Sequence, residues 1–209
     1  MQNAGTLLGY GLFSDAGYSI NWGNTAGTGW VSGIGNGSNQ VLTVWAKIPA
    51  NEYVQAGGYN DQVVATLTSS LGTSQSSIGV NGNVKNGCAI SATSLAFGTY
   101  SGSLVNSTST ITATCTLLTT YNVGLNAGTA TGATVTNRSM TASGGALLHY
   151  SLFSNSGRTT NWGNTVGTNT VAGIGTGLAQ SLTVYGQIPA GQSLTPGSYT
   201  DTITATLTY

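Results

Sequence analysis

Charge is what this sequence lacks most. Four Lys and Arg, four Asp and Glu and a single His are spread over 209 residues, so charged side chains make up 4% of the chain and the net charge is zero. Soluble domains usually carry about a quarter. Nucleic-acid binding draws its affinity from cations set against phosphates, and four dispersed ones cannot supply it. Cysteine is almost as scarce, and two Cys without His partners are too few for a zinc site. No apolar run is long enough to span a bilayer. The opening MQNAGTLLGYG has neither the basic n-region nor the long apolar h-region of a secretion signal. Asp15 and Glu52 lie in loop-like sequence without a paired carboxylate, which leaves glycoside hydrolysis unsupported. Helical periodicity is missing too. The glycines at 33, 35 and 37, and again at 173, 175 and 177, therefore read as turn and bulge positions and not as a dinucleotide fingerprint, which needs a helix to follow.

Gly is abundant, at 32 residues, alongside much Thr and Ser, and 39% of the chain is hydrophobic. Disordered chains carry charge and lack apolar periodicity. Here the apolar positions alternate, the signature of half-buried strands. The sequence is read as ordered, all-β and built of short strands.

Its plan is a repeat. Residues 7–69 and 147–209 align without a gap at a constant offset of 140 (147 − 7), and about half the positions are identical. Such a spacing is domain-sized, too long for a solenoid. Three strands are predicted in each copy. The first has Leu148, Tyr150 and Leu152 on one face (Leu8, Tyr10 and Leu12 in copy one). The second carries Leu182, Val184, Gly186 and Ile188 (Leu42, Val44, Ala46 and Ile48). The third runs through Tyr199, Asp201, Ile203, Ala205 and Leu207 (Tyr59, Asp61, Val63, Ala65 and Leu67). A Gly/Asn/Thr-rich loop around Trp162 or Trp22 separates the first two.

Residues 84–140 supply further strands that only the second copy possesses. Ile90, then Leu95 and Phe97, read as a strand pair interrupted at Thr93-Ser94. Ile111, Ala113 and Cys115 share one face of the next strand, and Tyr121, Val123 and Leu125 one face of another. Six or seven short strands between turns are the pattern of an immunoglobulin-like β-sandwich. The expected organisation is the C-terminal half of a first domain over residues 1–72, a linker or shared strand over 73–83, and a complete domain over 84–209. Met1 and Met140 fall within one residue of equivalent positions. The expectation is therefore a chain that starts at an internal Met of a longer parent, which would carry the missing half and an export signal. The alternative is a genuine half-domain packed on the second.

Little in the sequence carries reaction chemistry. Cys88 and Cys115 are 27 residues apart (115 − 88) on predicted strands of one half-domain. They form either one disulfide, stabilising by roughly 3–4 kcal/mol in an oxidising compartment, or two buried thiols in a reducing one. His149 has Gly9 as its twin and reads as a surface or groove residue. Asp61 and Asp201 recur in Tyr-x-Asp, where hydrogen bonding to a turn backbone is the expected role. No Gly-x-Ser-x-Gly elbow supports a nucleophile. No catalytic residue, metal or cofactor is expected.

One ordered set of residues has a family signature. Gly87, Cys88, Ile90 and Ser91 are followed by Leu95, Phe97, Gly98 and Tyr100, then by Cys115, and by Arg138, Ser139 and Met140. The set continues with Leu148, Tyr150, Leu152 and Phe153, then Trp162-Gly163, the run 182–192, and Gly197, Tyr199, Asp201 and Thr202. In this the second domain resembles the spore coat protein U family, the pilin fold of archaic chaperone–usher pili, and two such domains in one chain resemble its tip adhesins. The resemblance implies export to the periplasm and then to a surface pilus. The implied partners are a periplasmic chaperone, an outer-membrane usher and a neighbouring subunit that donates a strand. The implied acceptor groove is lined by Leu148, Tyr150, Leu152, Ile203, Ala205 and Leu207. In copy one the chain runs on, and residues 78–84 are expected to supply that strand in cis.

The copies differ at a few aromatic positions. Tyr18, Trp30, Trp45 and Tyr53 stand where copy two has Arg158, Thr170, Tyr185 and Ser193. Trp45 is placed on the outward face of its strand, and Trp30 and Tyr53 in loops. They are adhesion candidates toward an abiotic or host surface, since each buries about 150–250 Å² on contact. Covering the missing half of domain one is the competing role. Two other functions stay open: a carbohydrate-binding module, since aromatics also stack on sugars, and a structural coat protein.

Overall fold

The computed structural model describes residues 1–25 and 29–209. The chain divides into two units, residues 1–85 and 86–209, and every regular element among the described residues is a strand. None of these residues forms a helix long and apolar enough to cross a membrane.

The second unit holds nine strands: β7 (Cys88–Ala92), β8 (Val105–Cys115), β9 (Thr120–Leu125), β10 (Arg138–Ala142), β11 (Leu147–Phe153), β12 (Val171–Ile174), β13 (Ala179–Ile188), β14 (Tyr199–Thr200) and β15 (Ala205–Thr208). They form a six-stranded sheet in the order β14-β10-β11-β13-β8-β7 and a three-stranded sheet in the order β12-β9-β15. All the pairings are antiparallel. Period-two alternation explains the layering, because alternate side chains of a strand point to opposite faces. Ile111, Ala113 and Cys115 of β8, Tyr121, Val123 and Leu125 of β9, and Leu148, Tyr150 and Leu152 of β11 are all buried in one core with Val184, Ile188 and Trp162. The intervening Thr and Ser positions face outward or stay partly exposed. Cys88 and Cys115 are bonded, directly opposite one another in the register of β7 on β8. The free-thiol alternative is thereby excluded.

Three expectations need correction in this unit. The last strand is two pieces: β14 pairs with β10 in one sheet and β15 with β9 in the other. The chain changes sheet where side chains replace ladder partners. Asp201 accepts from Thr202 N–H at 2.7 Å, and Asn126 Oδ1 from Thr204 N–H at 3.0 Å. Leu95 and Phe97 lie outside any strand, although both pack on the core. There the Ser107 hydroxyl takes up the Ala96 carbonyl. The loop after Trp162 also contains a strand, β12, because β9 offers it an edge.

The first unit holds β1 (Gln2–Asn3), β2 (Thr6–Leu7), β3 (Gly11–Phe13), β4 (Trp45–Lys47), β5 (Gly57–Ser69) and β6 (Gly72–Val84). β5 and β6 form a hairpin paired over all thirteen residues of each strand, so residues 73–83 belong to a strand of this unit. β4 is much shorter than its twin β13. In the second unit β13 pairs with β8 over its whole length and β12 pairs with β9. The first copy has no counterpart of β8 or β9, so residues 31–34 and 41–44 have nothing to pair with and form no strand. Burial follows suit: Val184 and Ile188 are 3% and 1% exposed, and their twins Val44 and Ile48 are 37% and 45% exposed. The corner between the first two strands is nevertheless built alike in both copies. Asp15 Oδ1 caps Ile20 N–H at 2.7 Å and Asn155 Oδ1 caps Thr160 N–H at 2.9 Å. Trp22 and Trp162 N–H bond the carbonyls of Leu12 and Leu152. These bonds span ten residues or fewer, so no partner half-domain is needed to form them.

Candidate functional site

β15 and β7 end their respective sheets and approach one another across the seam of the second unit. Between them opens a cavity of about 400 Å³. Most of its lining is apolar because each flanking strand turns its inward-facing residues to it, and Thr93, Ser94, Ser109, Thr200, Asp201 and Thr202 add polar groups. β11 contributes Tyr150 and Leu152, β8 contributes Ile111, β13 contributes Val184, and the final segment contributes Ile203 and Ala205. Leu95 and Phe97 close the opposite rim, with Phe97 edge-on to Tyr150 at 5.8 Å between ring centres.

Four of the six groove residues expected from sequence thus line the cavity. Leu148 is fully buried in the core behind it, and Leu207 is half-buried against that core. Leu95, Phe97, Ile111 and Val184 were legible as inward-facing positions but carried no signal assigning them to the groove.

One polar cluster sits in the wall. The Tyr150 hydroxyl donates to Asp201 Oδ2 at 2.7 Å, and Asp201 Oδ1 accepts from Thr129 N–H at 2.8 Å and Thr129 Oγ1 at 2.9 Å. Partial burial pushes the Asp201 carboxyl up, but these bonds and that from Thr202 outweigh it and hold it below the usual carboxylate range. Burial first, and the neighbouring carboxylate second, keep the Tyr150 phenol protonated well above its ordinary range. The first unit repeats the pair: Tyr10 donates to Asp61 at 2.6 Å, and its phenol is pushed up to about 12 by that bond. Asp201 bonds turn backbone as expected, and the tyrosine is the partner the sequence did not reveal.

Arg138 is completely buried and donates to the carbonyls of Asn126, Val135, Leu125 and Trp162 at 2.7–3.0 Å. Burial lowers its pKa to about 10. Trp162 Nε1–H bonds the Val123 carbonyl at 2.8 Å. Arg138 and Trp162 together tie the corner after β9 to the loop after β11, which fixes the floor beneath the cavity. His149 is exposed, with Nδ1 2.9 Å from the Ser139 hydroxyl. Among the described residues no group of His, Cys, Asp and Glu could hold a metal ion.

The aromatic candidates of the first unit divide. Trp30 is 51% exposed outside any strand, and Tyr18 is 40% exposed. Tyr18 adopts a left-handed φ of 55°, stacks edge-on with Phe13, and has Lys47 Nζ 5.6 Å above its ring. Trp45 and Tyr53 are half-buried. Trp45, opposite Phe13 on β3, shares its face of β4 with Lys47, while Ala46 and Val44, whose twins Gly186 and Val184 are buried, lie on the other face. The face that would meet a core in a complete sandwich has none here.

Comparison with known proteins agrees with this architecture. Protein U of Myxococcus xanthus is 33% identical over 164 residues, covering 70% of this chain and 91% of that protein. A chain in the crystal structure of the CsuC–CsuE chaperone–tip adhesion subunit pre-assembly complex, from archaic chaperone–usher Csu pili of Acinetobacter baumannii, superposes with a TM-score of 0.61. It does so at 18% identity, over 97% of this chain and 77% of that one. The spore coat protein U domain matches residues 1–66 and 74–206, both copies of the repeat. A two-sheet shell with an unfilled seam, a repeat matched in each half and a disulfide in the front strands meet in one assignment: the chain belongs to the spore coat protein U domain family.

Proposed function

We propose that this chain is a non-enzymatic subunit of a surface pilus, assembled by donor-strand complementation, with the second unit as strand acceptor and the first as the adhesive, tip-facing end. The observation that carries the reading is the apolar cavity between two strands that each end a sheet, β15 and β7. An unpaired edge beside a hydrophobic cleft is what β-strand addition requires: backbone bonds give affinity and alternate side chains fill the cleft. On this reading a periplasmic chaperone fills the cleft during export, and a neighbouring subunit replaces it at an outer-membrane usher. The resemblance to a chain of a chaperone–tip subunit complex supports it.

The same reading makes residues 1–72 the C-terminal half of a first domain, with its open face meant for strands like β7 to β10. Its glycines support this. A Cβ on Gly173 or Gly175 would lie within 2.9 Å of Tyr121 or of Thr116 and Cys115, whereas Gly33 and Gly35 have nothing within 4 Å. The first copy keeps glycines that only an absent neighbour demands.

Co-production with an archaic-type pilus chaperone tests the function. A stable one-to-one complex is expected, and Ala205→Asp with Leu207→Asp should abolish it while the disulfide still forms. A chain recovered as a stable monomer that never joins the chaperone would overturn the reading.

A further inference from the structure

We infer that the second unit's cleft accepts the chain's own β6 segment from a second copy, antiparallel to β15. The chain thereby carries a ligand for its own acceptor. The inference rests on the reading of the cleft as a strand acceptor, and the donated β6 leaves its own β5, with which it is otherwise paired along its whole length.

The internal repeat supplies the argument. β5 is the first-copy twin of the final segment, and β6 lies along one edge of it. Which edge follows from hydrogen-bond parity, since facing residues of antiparallel strands alternate between bonded and non-bonded pairs. The two-residue loop Ser70-Leu71 makes Ser69 and Gly72 the bonded ends of a β-turn. The odd-numbered residues of β5 therefore turn their backbone groups toward β6. In the second unit Asn126 N–H bonds the Thr204 carbonyl, and β9 continues in that register. The even-numbered residues of β15 therefore turn toward β9, and Ala205 and Leu207 turn away from it. The offset of 140 preserves parity, so β6 occupies on β5 the edge that corresponds to the free edge of β15.

Side chains agree with the backbone. The residues of β5 that share a face opposite β6 are Tyr59, Asp61, Val63, Ala65 and Leu67. Their twins are Tyr199, Asp201, Ile203, Ala205 and Leu207, with a single change, Val to Ile. On β6 the residues opposite them include Ile78, Val80 and Gly82. Val80, Gly82 and Val84 are half-buried and alternate with exposed Asn81 and Asn83, as in a strand laid over an apolar face. A strand selected for one acceptor therefore meets the same chemistry in the other. Transfer of the register places Ser76 and Ser74 opposite Ala205 and Leu207 of β15, and Ile78 and Val80 opposite Ile203 and Asp201, just before its start. The small side chains of β6 then enter a cavity that Leu95 and Phe97 wall on the far side.

The probe is a synthetic peptide of residues 74–85 added to the full chain and read by residue-resolved amide exchange. The Ala205 and Leu207 amides should exchange about tenfold more slowly at saturating peptide. Those of Thr206 and Thr208, already bonded to β9, should not change. Peptide carrying Ile78→Asp and Val80→Asp should bind at least about tenfold more weakly. A donor-strand peptide from a neighbouring pilus subunit is the second arm. Protection by that peptide but not by residues 74–85 overturns this inference and leaves the acceptor reading standing. Protection by neither overturns both. Protection of Thr206 in place of Ala205 would refute the assigned edge.

Discussion

At the level of single residues, Asp201 shows how a chain with four acidic groups spends one. Its carboxylate joins β11 through Tyr150, the segment after β9 through Thr129, and its own corner through Thr202. Its folded-state pKa lies below the unfolded value. The stability it contributes is therefore complete above the unfolded pKa of about 4 and drains away as pH falls through the lower folded-state value. Asp201→Asn keeps the size and removes the charge. Discounted for partial exposure, it should cost about 1 kcal/mol at pH 7 and flatten the acid limb below pH ~4, both measured by urea unfolding. An unchanged acid limb would place the pH dependence elsewhere. The Tyr-x-Asp repeat was visible in the sequence. Its tyrosine partner, 51 residues away in both copies, was not, because no local spacing encodes which hydroxyl a folded corner brings near.

Among the elements, what the sequence revealed depended on whether a strand's partner was local. The corners capped by Asp15 and Asn155 fold alike because every bond in them is short in sequence. Alternation located the inward faces of β8, β9, β11 and β13 correctly. It failed at the final strand, where Asp201 and Asn126 divert the backbone from one sheet to the other, and at β4, where residues patterned for a ladder have no ladder to join. β12 escaped notice because four residues rich in Gly and Ala look like loop until β9 is beside them. This asymmetry is measurable. A Cβ at Gly175 would sit in the Thr116 carbonyl, which is backbone and cannot swing aside, whereas at Gly35 it meets open space. Gly175→Ala should destabilise the second unit by about 1–3 kcal/mol, and Gly35→Ala should leave thermal stability unchanged. Equal losses at both sites would mean that the first unit's open face is covered in solution.

For the molecule as a whole, composition sets the manner of contact. With zero net charge and eight formal charges, of which Arg138 is buried, little surface field exists to screen. If the first unit is the adhesive end, as proposed, its adhesion should change less than about twofold over a tenfold range of NaCl. Trp30→Ala should reduce retention on polystyrene without lowering the melting temperature, since half of Trp30 is in solvent. Tyr53→Ala should lower the melting temperature, since Tyr53 is half-buried. Loss of stability on replacing Trp30 would return that residue to a packing role, and displacement by a soluble glycan would indicate sugar stacking. Family and fold class were legible in the order of Cys88, Cys115, Trp162 and the final segments. The near wall of the cavity was implied by the family resemblance, but its far wall was not, because it comes from Leu95 and Phe97, which only the folded seam brings opposite Ile203.

The disulfide also has a mechanical reading. Cys88 and Cys115 face each other across the edge of the six-stranded sheet, on the strand that borders the seam. On the proposed strand-acceptor reading, a tensile load entering through an inserted peptide would otherwise peel that border strand one backbone bond at a time. The covalent rivet passes the load directly to β8 and from there across ten paired residues into β13, so the rim yields in shear, as one body, or not at all.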